Sequence, residues 1–279
     1  MKIVTSIAEM QGVCRDLAGG SVLGLVPTMG ALHEGHLSLV RRARGECDVV
    51  AASIFVNPLQ FAPGEDFARY PRTFESDCRL LEAEGVDLLL APDAAEMYPD
   101  GGVTTITVPG VGDRLDGASR PGHFTGVATV VAKLFHIAAP RRAYFGQKDA
   151  AQLAVLRRMI RDLNFDVELV ACEIVRDPDG LALSSRNKYL GEADRKQALV
   201  LHRALRRMEE MIAGGERRVE TLLRAGMEVL ESAAGVRVDY LAIVDANTLL
   251  PVTAAQAGAL VAVAANVGST RLIDNFLVA

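Results

Sequence analysis

The chain has 279 residues, half of them hydrophobic, and a formal net charge of −5 at pH 7. This length allows one large domain or two moderate ones with a sizeable core. The acidic balance argues against a nucleic-acid-binding protein, which usually has a surplus of basic residues. No apolar run approaches the roughly 20 residues that a membrane helix needs, and the segment after Met1 is too polar for a signal peptide. We therefore expect a cytoplasmic protein whose partners are neither nucleic acids nor membranes.

The first part of the chain alternates segments of helical periodicity with short apolar runs. The continuous apolar run at 48–56 is typical of a strand buried in a parallel sheet, and we expect the strand at 22–26 to be the first in the core. Alternation of this kind predicts a parallel sheet with helices on both faces and ligands beyond the carboxyl ends of the strands. The predicted helices lie at 6–17, 37–44, 73–84, 124–137 and 150–163, and the predicted strands at 22–26, 48–56, 86–91, 103–108 (irregular), 143–145 and 167–175.

The pattern changes after Arg176. Two amphipathic helices at 193–212 and 219–231 precede three strands joined by short turns, which predicts an antiparallel sheet at 236–244, 259–265 and 271–276. The sequence therefore predicts an α/β protein with a Rossmann-like domain at 1–175 and a smaller C-terminal α+β domain, a lid or clamp, at 176–279. A single continuous domain is the alternative.

The segment 26–36, VPTMGALHEGH, joins a predicted strand to a predicted helix. Its glycines allow a close approach of backbone to ligand, and the N-terminus of the helix favours an anion such as phosphate. His33 and His36 share one face of the first helical turn, where both could reach the same phosphate. The helix dipole disfavours a proton on His36, so we expect a neutral ring near pH 7. Exposed capping residues or a half-built metal site are the alternatives, but the other histidines, His123, His136 and His202, form no second pair. The context favours a nucleotide, and we expect no metal site built by the protein alone.

Two further motifs follow predicted strands. Gln60 lies just after the run at 48–56, and its amide suits a ligand with hydroxyls and a carboxylate. A turn at Asn57 and the following proline would explain those two residues alone. Lys148 stands at a helix start, where a cation is unfavourable unless an anion offsets it. Asp149 beside it is also a good helix N-cap, and Gln152 projects from the next turn toward the same region.

The segment 180–187, GLALSSRN, offers hydroxyls and a guanidinium that can bind phosphate oxygens. Ser184, Ser185 and Arg186 are the candidates, although a simple N-cap for the following helix explains the pattern nearly as well. Arg120 and His123, in RPGHFTGV, could line the same cleft. An exposed turn before a buried helix is the alternative for that pair.

The HxGH motif resembles the signature of the nucleotidyltransferase superfamily, which shares its α/β core with class I aminoacyl-tRNA synthetases. Within it, the order of PTMGALHEGH, FVNPLQF, YPRT, RPGHFTGV, FGQKD and LALSSRN between about residues 24 and 190 resembles the pantothenate synthetases (pantoate–β-alanine ligases). Two positions depart from the family pattern. Gln147 replaces an expected Glu, and Ala151 replaces an expected Gln.

The resemblance implies that pantoate is adenylated by ATP and that the amine of β-alanine then attacks the adenylate. Pantothenate, AMP and pyrophosphate are the products. It implies Mg²⁺ bound with ATP, held mainly by the nucleotide and water, and a homodimer. His33, His36, Lys148 and Arg186 are the catalytic candidates. Gln60 and Gln152 are assigned to pantoate, and Gln60 also to β-alanine. The implied ATP-binding residues are Met29, Gly30, Ala31, Leu32, His33, Glu34, Gly35, His36, Gly146, Gln147, Lys148, Asp149, Val175, Leu183, Ser184, Ser185 and Arg186.

Three alternative functions are compatible with parts of this pattern. Another HxGH nucleotidyltransferase, forming a dinucleotide or a CDP-alcohol, would have no reason to carry glutamines for a second substrate. A non-catalytic nucleotide sensor would not need every phosphate donor. An RNA-binding role conflicts with the acidic balance.

Overall fold

The computed structural model describes residues 1–17, 20–62 and 64–279. Its larger sheet has six parallel strands in the order β1-β4-β3-β2-β5-β6. The strands are β1 (Lys2–Val4), β2 (Leu23–Thr28), β3 (Val49–Ile54), β4 (Leu88–Leu90), β5 (Arg142–Gly146) and β6 (Glu168–Cys172).

Helices cover both faces of this sheet. They are α1 (Ile7–Leu17), α2 (Glu34–Glu46), α3 (Phe74–Ala83), α4 (Ala94–Met97), α5 (Asp116–Ser119), α6 (His123–Ala138) and α7 (Ala150–Asp162). Successive side chains of a strand point to opposite faces. Accordingly Leu25 of β2 packs in the core that contains α1, α6 and α7, and Val26 packs in the core that contains α2 and α3. The Rossmann-like architecture predicted from the alternating pattern is confirmed.

The strand order reverses between β2 and β5. The connection from β2 leads to β3 on one side, whereas β5 lies on the other side of β2. At such a switch point the loops beyond the carboxyl ends diverge and leave a crevice for a ligand. The HxGH segment follows β2 and the segment containing Lys148 follows β5, so the fold brings these two motifs to the same crevice.

The second sheet is antiparallel, in the order β7-β8-β9, as predicted. It is preceded by two helices, and the elements are α8 (Glu192–Ala213), α9 (Val219–Glu231), β7 (Val236–Asp245), β8 (Ala259–Val267) and β9 (Thr270–Leu277). One face of β8, with Val261 and Val263, packs in the core formed by α8 and α9. The other face, with Leu260 and Ala262, belongs to the core of the larger sheet. The two sheets are therefore joined through apolar packing.

Polar contacts from β9 reinforce this junction. Arg271 donates to Asp116 of α5 at 2.7 Å. Asp274 accepts two hydrogen bonds from Arg176, at 2.6 and 2.9 Å, and Asn275 contacts the turn that begins at Gln147. Because ion pairs shielded from water are screened less than exposed ones, these contacts fix β9 more firmly than surface pairs would.

The irregular strand predicted at 103–108 is wrong, because this segment has no strand partner within the described part of the chain. It is largely exposed, and the side chain of Val103 is 96% accessible. Strand β1, which precedes the strand at 22–26 and lies at the edge of the sheet, was not predicted from the sequence. A three-residue strand is too short to show an alternating pattern. None of the helices in the described part of the chain combines the length and hydropathy that crossing a bilayer requires.

Candidate active site

A cavity of about 240 Å³ lies at the carboxyl edge of the larger sheet, at the switch point. Its lining comes from β2, β5, α2, α6 and α7 and from the segment after β6. The residues singled out from the sequence that line it are Met29, His33, Gly35, His36, Gln60, Arg120, His123, Gly146, Lys148, Asp149, Gln152, Val175, Leu183, Ser184, Ser185 and Arg186. Motifs separated by more than 150 positions in the sequence therefore meet in one place.

His33 and His36 stack at the start of α2. His33 is the N-cap residue, and the two ring centroids lie 4.1 Å apart. The backbone N–H of His33 donates to Nδ1 of His36 at 3.4 Å. When the ring of His36 is neutral, its proton is therefore on Nε2. The buried Nδ1 of His33 has no hydrogen-bond partner among the described residues, which marks that ring as a candidate for contact with a ligand.

Both histidines are neutral near pH 7. Burial, followed by the neighbouring ring of His33, lowers the pKa of His36 to about 3. Burial, followed by the charge of Lys148, lowers the pKa of His33 to about 4. The direction of both shifts agrees with the neutral ring expected for His36, and its largest cause is the loss of hydration rather than the helix dipole invoked from the sequence.

Asp77 holds the turn between β2 and α2, and sequence reasoning missed it. This carboxylate is 2% exposed and accepts the backbone N–H groups of Ala31 and Leu32, both at 2.9 Å. Ala31 has φ = 52°, a left-handed conformation that is unfavourable for a residue with a Cβ. The two charge-assisted hydrogen bonds offset this strain and place the histidines. The sequence offers no local signal for this role, because the burial of Asp77 and its distant partners appear only in the structure.

Lys148 and Asp149 belong to a 3₁₀ turn, Gln147–Asp149, that leads into α7. Lys148 Nζ lies 3.5 Å from Asp149 Oδ1. Asp149 occupies the N-cap position of α7, but its side chain makes no capping hydrogen bond to a described residue. The Asp149 side chain lines the cavity and does not cap α7. The capping interpretation therefore explains where Asp149 lies in the sequence but not what its carboxylate does.

Arg186 is held by a carboxylate from another segment. Its Nε and Nη2 donate to the two oxygens of Asp66, each at 3.0 Å. Ser184 accepts from the backbone N–H of Arg186, so the capping role considered for it is present, while Ser185 Oγ lies 3.2 Å from the hydroxyl of Tyr70. The bidentate pair between Arg186 and Asp66 fixes the orientation of the guanidinium at the wall of the cavity.

Gln60 is held by a polar network at the end of β3. Asn57, 1% exposed, donates from Nδ2 to Gln60 Oε1 at 3.2 Å and to the Gly126 carbonyl at 3.0 Å. Gly126 is required there, because a Cβ would lie 2.2 Å from the carbonyl oxygen of Leu59. Asn57 also caps the short turn that follows it, as the structural interpretation of the sequence proposed. This single side chain therefore ends the strand and orients the amide of Gln60.

Arg120 and His123 line the cavity and support Gln60 from the other side. His123 Nδ1 lies 2.8 Å from the Gln60 carbonyl, which can only accept, so this nitrogen carries the proton. Nε2 then accepts from Arg120 at 3.0 Å. Burial, followed by the charge of Arg120, lowers the pKa of His123 to about 4. Arg120 pairs with Glu65 at 2.7 Å.

An apolar wall faces these polar groups, and most of it was not predicted as part of a site. It comes mainly from the inner face of α6, which reads from the sequence only as a buried helix. The wall consists of Phe55, Val127, Val130, Val131, Leu134 and Phe145.

Five predicted ATP-binding residues do not line this cavity. Gly30, Ala31 and Leu32 are buried in the turn bound to Asp77, Glu34 faces solvent and pairs with Arg41, and the side chain of Gln147 turns to Asn275. A backbone contact with a ligand remains a prediction for these positions.

A parallel sheet that presents a helix N-terminus, a lysine and an arginine to one crevice defines a nucleotide-binding protein of the α/β class. Comparison with known proteins narrows this class. The family model described as pantoate-beta-alanine ligase matches residues 2–277. The chain belongs to the pantoate–β-alanine ligase family, as its motifs indicated.

Individual relatives agree over the whole length. Pantothenate synthetase from Acidobacterium capsulatum is 59% identical over 289 residues, covering 99% of this chain and 97% of the relative. The crystal structure of pantothenate synthetase from Thermus thermophilus is 53% identical, with a TM-score of 0.94 over 100% of this chain and 99% of that one. The Francisella tularensis pantoate-beta-alanine ligase, complexed with beta-gamma ATP and beta-alanine, is 34% identical, with a TM-score of 0.82 over 99% of this chain and 97% of that one.

The buried neutral histidines predict a pH dependence of stability. In the unfolded chain His33, His36 and His123 take up protons below about pH 6.5, the ordinary value, whereas the folded protein binds them only near pH 3–4. The unfolded state thus binds more protons, and the free energy of unfolding should fall as pH drops from 6.5 to 5. Urea denaturation at half-unit intervals checks this, and His123→Gln should flatten the slope by about one proton. A flat profile would contradict the assigned neutral state.

Proposed function

We propose that the protein condenses pantoate with β-alanine at the expense of ATP, giving pantothenate, AMP and pyrophosphate through a pantoyl adenylate. The observation that supports this most strongly is the convergence of His36, Lys148 and Arg186 with Gln60 and Gln152 on one cavity. Cationic and N–H donors suit a triphosphate, and amides suit a hydroxy acid. Family membership points to the same reaction, and the Francisella relative was crystallised with a nucleotide and β-alanine.

In the first step the carboxylate of pantoate attacks the α-phosphorus of ATP, and pyrophosphate leaves. Negative charge grows on the equatorial oxygens of the α-phosphate. His36 offers Nε2–H to this charge from the start of α2, and Lys148 and Arg186 bind the phosphates. The protein itself forms no covalent bond in this scheme, so its contribution is positioning and charge stabilisation.

Pantoate has a polar end and a dimethyl-substituted carbon, and the cavity has matching walls. The amides of Gln60 and Gln152 are proposed to bind its hydroxyl and carboxylate groups. The apolar wall from α6 lines the same cavity and suits the methyl groups. Asn57 and His123 hold Gln60 in place through its side chain and its carbonyl, respectively.

In the second step the amine of β-alanine attacks the acyl carbon of the adenylate, and AMP leaves. Gln60, which lines the same cavity, is proposed to contact β-alanine as well, as the family resemblance implies. The mixed anhydride is prone to hydrolysis, and closure of the site around it would keep water away.

We infer that Mg²⁺ accompanies ATP. No group of three or more histidine, cysteine or carboxylate residues able to hold a metal occurs within the described ranges. Mg²⁺ commonly takes one or two protein carboxylates together with substrate phosphates and water. The carboxylate of Asp149, half exposed at the cavity, suits that mode. When bound, the ion would neutralise charge on the β- and γ-phosphates.

A direct assay distinguishes this function from its alternatives. Purified protein should form AMP only when ATP, pantoate and β-alanine are all present. Another nucleotidyltransferase would release pyrophosphate without pantoate, and a nucleotide sensor would release none. AMP formation that does not depend on β-alanine would therefore overturn the proposal.

We also infer a cytoplasmic location and a division of the chain near Arg176, into domains at 1–175 and 176–279, the second acting as a clamp over ATP. The bridge between Arg176 and Ala182 shapes the segment that carries Ser184–Arg186 into the cavity. If the second domain is a clamp, ATP with Mg²⁺ should suppress proteolytic cleavage within 176–180, and equal cleavage with and without the nucleotide would contradict it. Fractionation of the source cells checks the location.

The exposed segment at 103–108 supports a homodimer. This extended segment has no strand partner among the described residues, and the apolar side chain of Val103 is exposed, so the segment is suited to pairing with a second copy. Val103→Arg should shift the protein toward the monomer, because each charge would be buried at the interface. Leu163→Arg, at another exposed apolar residue, is the matched control. Sedimentation equilibrium measures the result, and an unchanged association constant for Val103→Arg would exclude this surface.

His36→Ala should lower the rate of adenylate formation by about 10²–10³-fold, the usual effect of losing one donor to a developing charge. ATP affinity should fall far less, because Lys148 and Arg186 remain. Single-turnover pyrophosphate formation at saturating ATP and pantoate measures the rate. His136→Ala, at an exposed histidine of α6, is the control. An unchanged rate in well-folded His36→Ala would remove this ring from the mechanism.

Gln152→Ala should raise the pantoate requirement by about 10–100-fold, since hydrogen bonds to a charged ligand contribute about 1.5–3 kcal/mol. The ATP requirement should change little. Steady-state kinetics with each substrate varied in turn make the comparison, with Gln256→Ala, at an exposed loop residue, as the control. If only the ATP requirement rose, the assignment of Gln152 to pantoate would be wrong.

A further inference from the structure

Asn275, near the end of β9, contacts the turn that carries Lys148. Its Nδ2 donates to the carbonyl of Gln147 at 3.0 Å and to the carbonyl of Lys148 at 2.8 Å. Its Oδ1 accepts from Nε2 of Gln147 at 3.2 Å. The side chain is 3% exposed, so all of its hydrogen-bonding groups are used inside the protein. No motif in the sequence singled out this residue.

The two carbonyl contacts fix the orientation of the turn. Carbonyl oxygens can only accept, so both must face the NH₂ group of Asn275, and this sets which way its amide points. One NH₂ group has two hydrogens and can serve two consecutive carbonyls at once. The peptide planes on either side of the Lys148 Cα are thereby held, and with them the direction in which its side chain leaves the backbone.

The strand that carries Asn275 is itself well anchored. Asn275 lies opposite Ala262 of β8, which is buried in the core of the larger sheet. Asp274, the preceding residue, is 2% exposed and binds Arg176. Arg271, on the same face of β9 as Asn275, binds Asp116 of α5. A side chain on such a strand can hold a turn in place because the strand has little freedom to follow it.

We propose that Asn275 is a positioning residue for Lys148. It transmits the fixed geometry of β9 to the turn, so that Nζ of Lys148 is held where the triphosphate of ATP binds. This rests on the proposed function, in which Lys148 binds phosphate. A displacement of about 1 Å of a charge-stabilising group is enough to lower a rate by about 100-fold. The second sheet thus contributes to adenylate formation without touching the substrate.

A double-mutant cycle tests this proposal. Asn275→Ala should lower the single-turnover rate of pyrophosphate formation, at saturating ATP and pantoate, by about 10–100-fold. In a Lys148→Ala background the same change should alter the rate by less than about 2-fold, because the residue acts through the lysine. Asn275→Asp keeps the shape and the acceptor for Gln147 but loses both N–H donors. Asn275→Asp should therefore lower the rate as much as Asn275→Ala does. If Asn275→Ala does not fold, Asn275→Asp takes its place in the cycle.

Asp239→Asn is the control for a general loosening between the two sheets. Asp239 accepts hydrogen bonds from Ser119 at 2.9 Å and from Arg271, and it contacts neither Gln147 nor Lys148. We expect its rate to stay within about 2-fold of the original even if its thermal stability falls.

Three outcomes would overturn the proposal. The first is an unchanged rate for Asn275→Ala, and the second is an equal loss in both backgrounds. The third is a rate lost in Asp239→Asn as much as in Asn275→Ala. If Lys148→Ala alone left the rate unchanged, the role of the lysine in the proposed function would fail first, and the role of Asn275 with it.

Discussion

Strand β8 is buried on both faces, and the arrangement of the cavity depends on that double burial. Leu260 and Ala262 pack in the core of the larger sheet, whereas Val261 and Val263 pack against α8 and α9. Removing such side chains from water is the main favourable term in folding. Once β8 is placed, β9 follows through its register, and the segment at 183–186 is set against the edge of the larger sheet. The phosphate-binding groups that we propose therefore meet because of an apolar interface between the two sheets.

The polar groups of the site are held in place by hydrogen bonds from other side chains. Asp77 holds the turn before α2, Asp66 holds Arg186, Asn57 holds Gln60 and Asn275 holds the turn of Lys148. A buried donor or acceptor that loses its partner is costly, so each of these contacts strongly favours one geometry. Rigid support of this kind lets a binding group stay in position while charge develops on a substrate, without reorganisation at the moment of reaction.

The sequence predicted what local patterns encode. The run at 48–56 and the periodicity of the helix at 150–163 predicted β3 and α7 to within a few residues, and the motif of glycines beside histidines lies at the cavity. Supporting residues escaped notice, because Asp77 and Asn275 have no local signature and meet their partners 46 and 127 positions away. The segment at 103–108 was wrongly predicted as a strand for a related reason. A strand needs a partner, and a pattern of β-branched residues does not reveal whether one is available in the same chain.

The close contact of Gly126 with the 3₁₀ turn at Pro58–Gln60 determines how this pocket could evolve. Any side chain at position 126 would displace the Leu59 carbonyl, and Gln60 with it, so the helix cannot change there without moving the amide that we propose binds the acid. One turn further along α6, Val130 and Val131 meet the cavity only through their methyl groups. Changes of volume at these positions alter the space available without disturbing a polar contact. Substitutions at Val130 and Val131 could therefore adapt the cavity to bulkier hydroxy acids, whereas substitutions at Gly126 could not. A library varied at all three positions, and screened for AMP formation from such acids, β-alanine and ATP, should return glycine at 126 in every active clone.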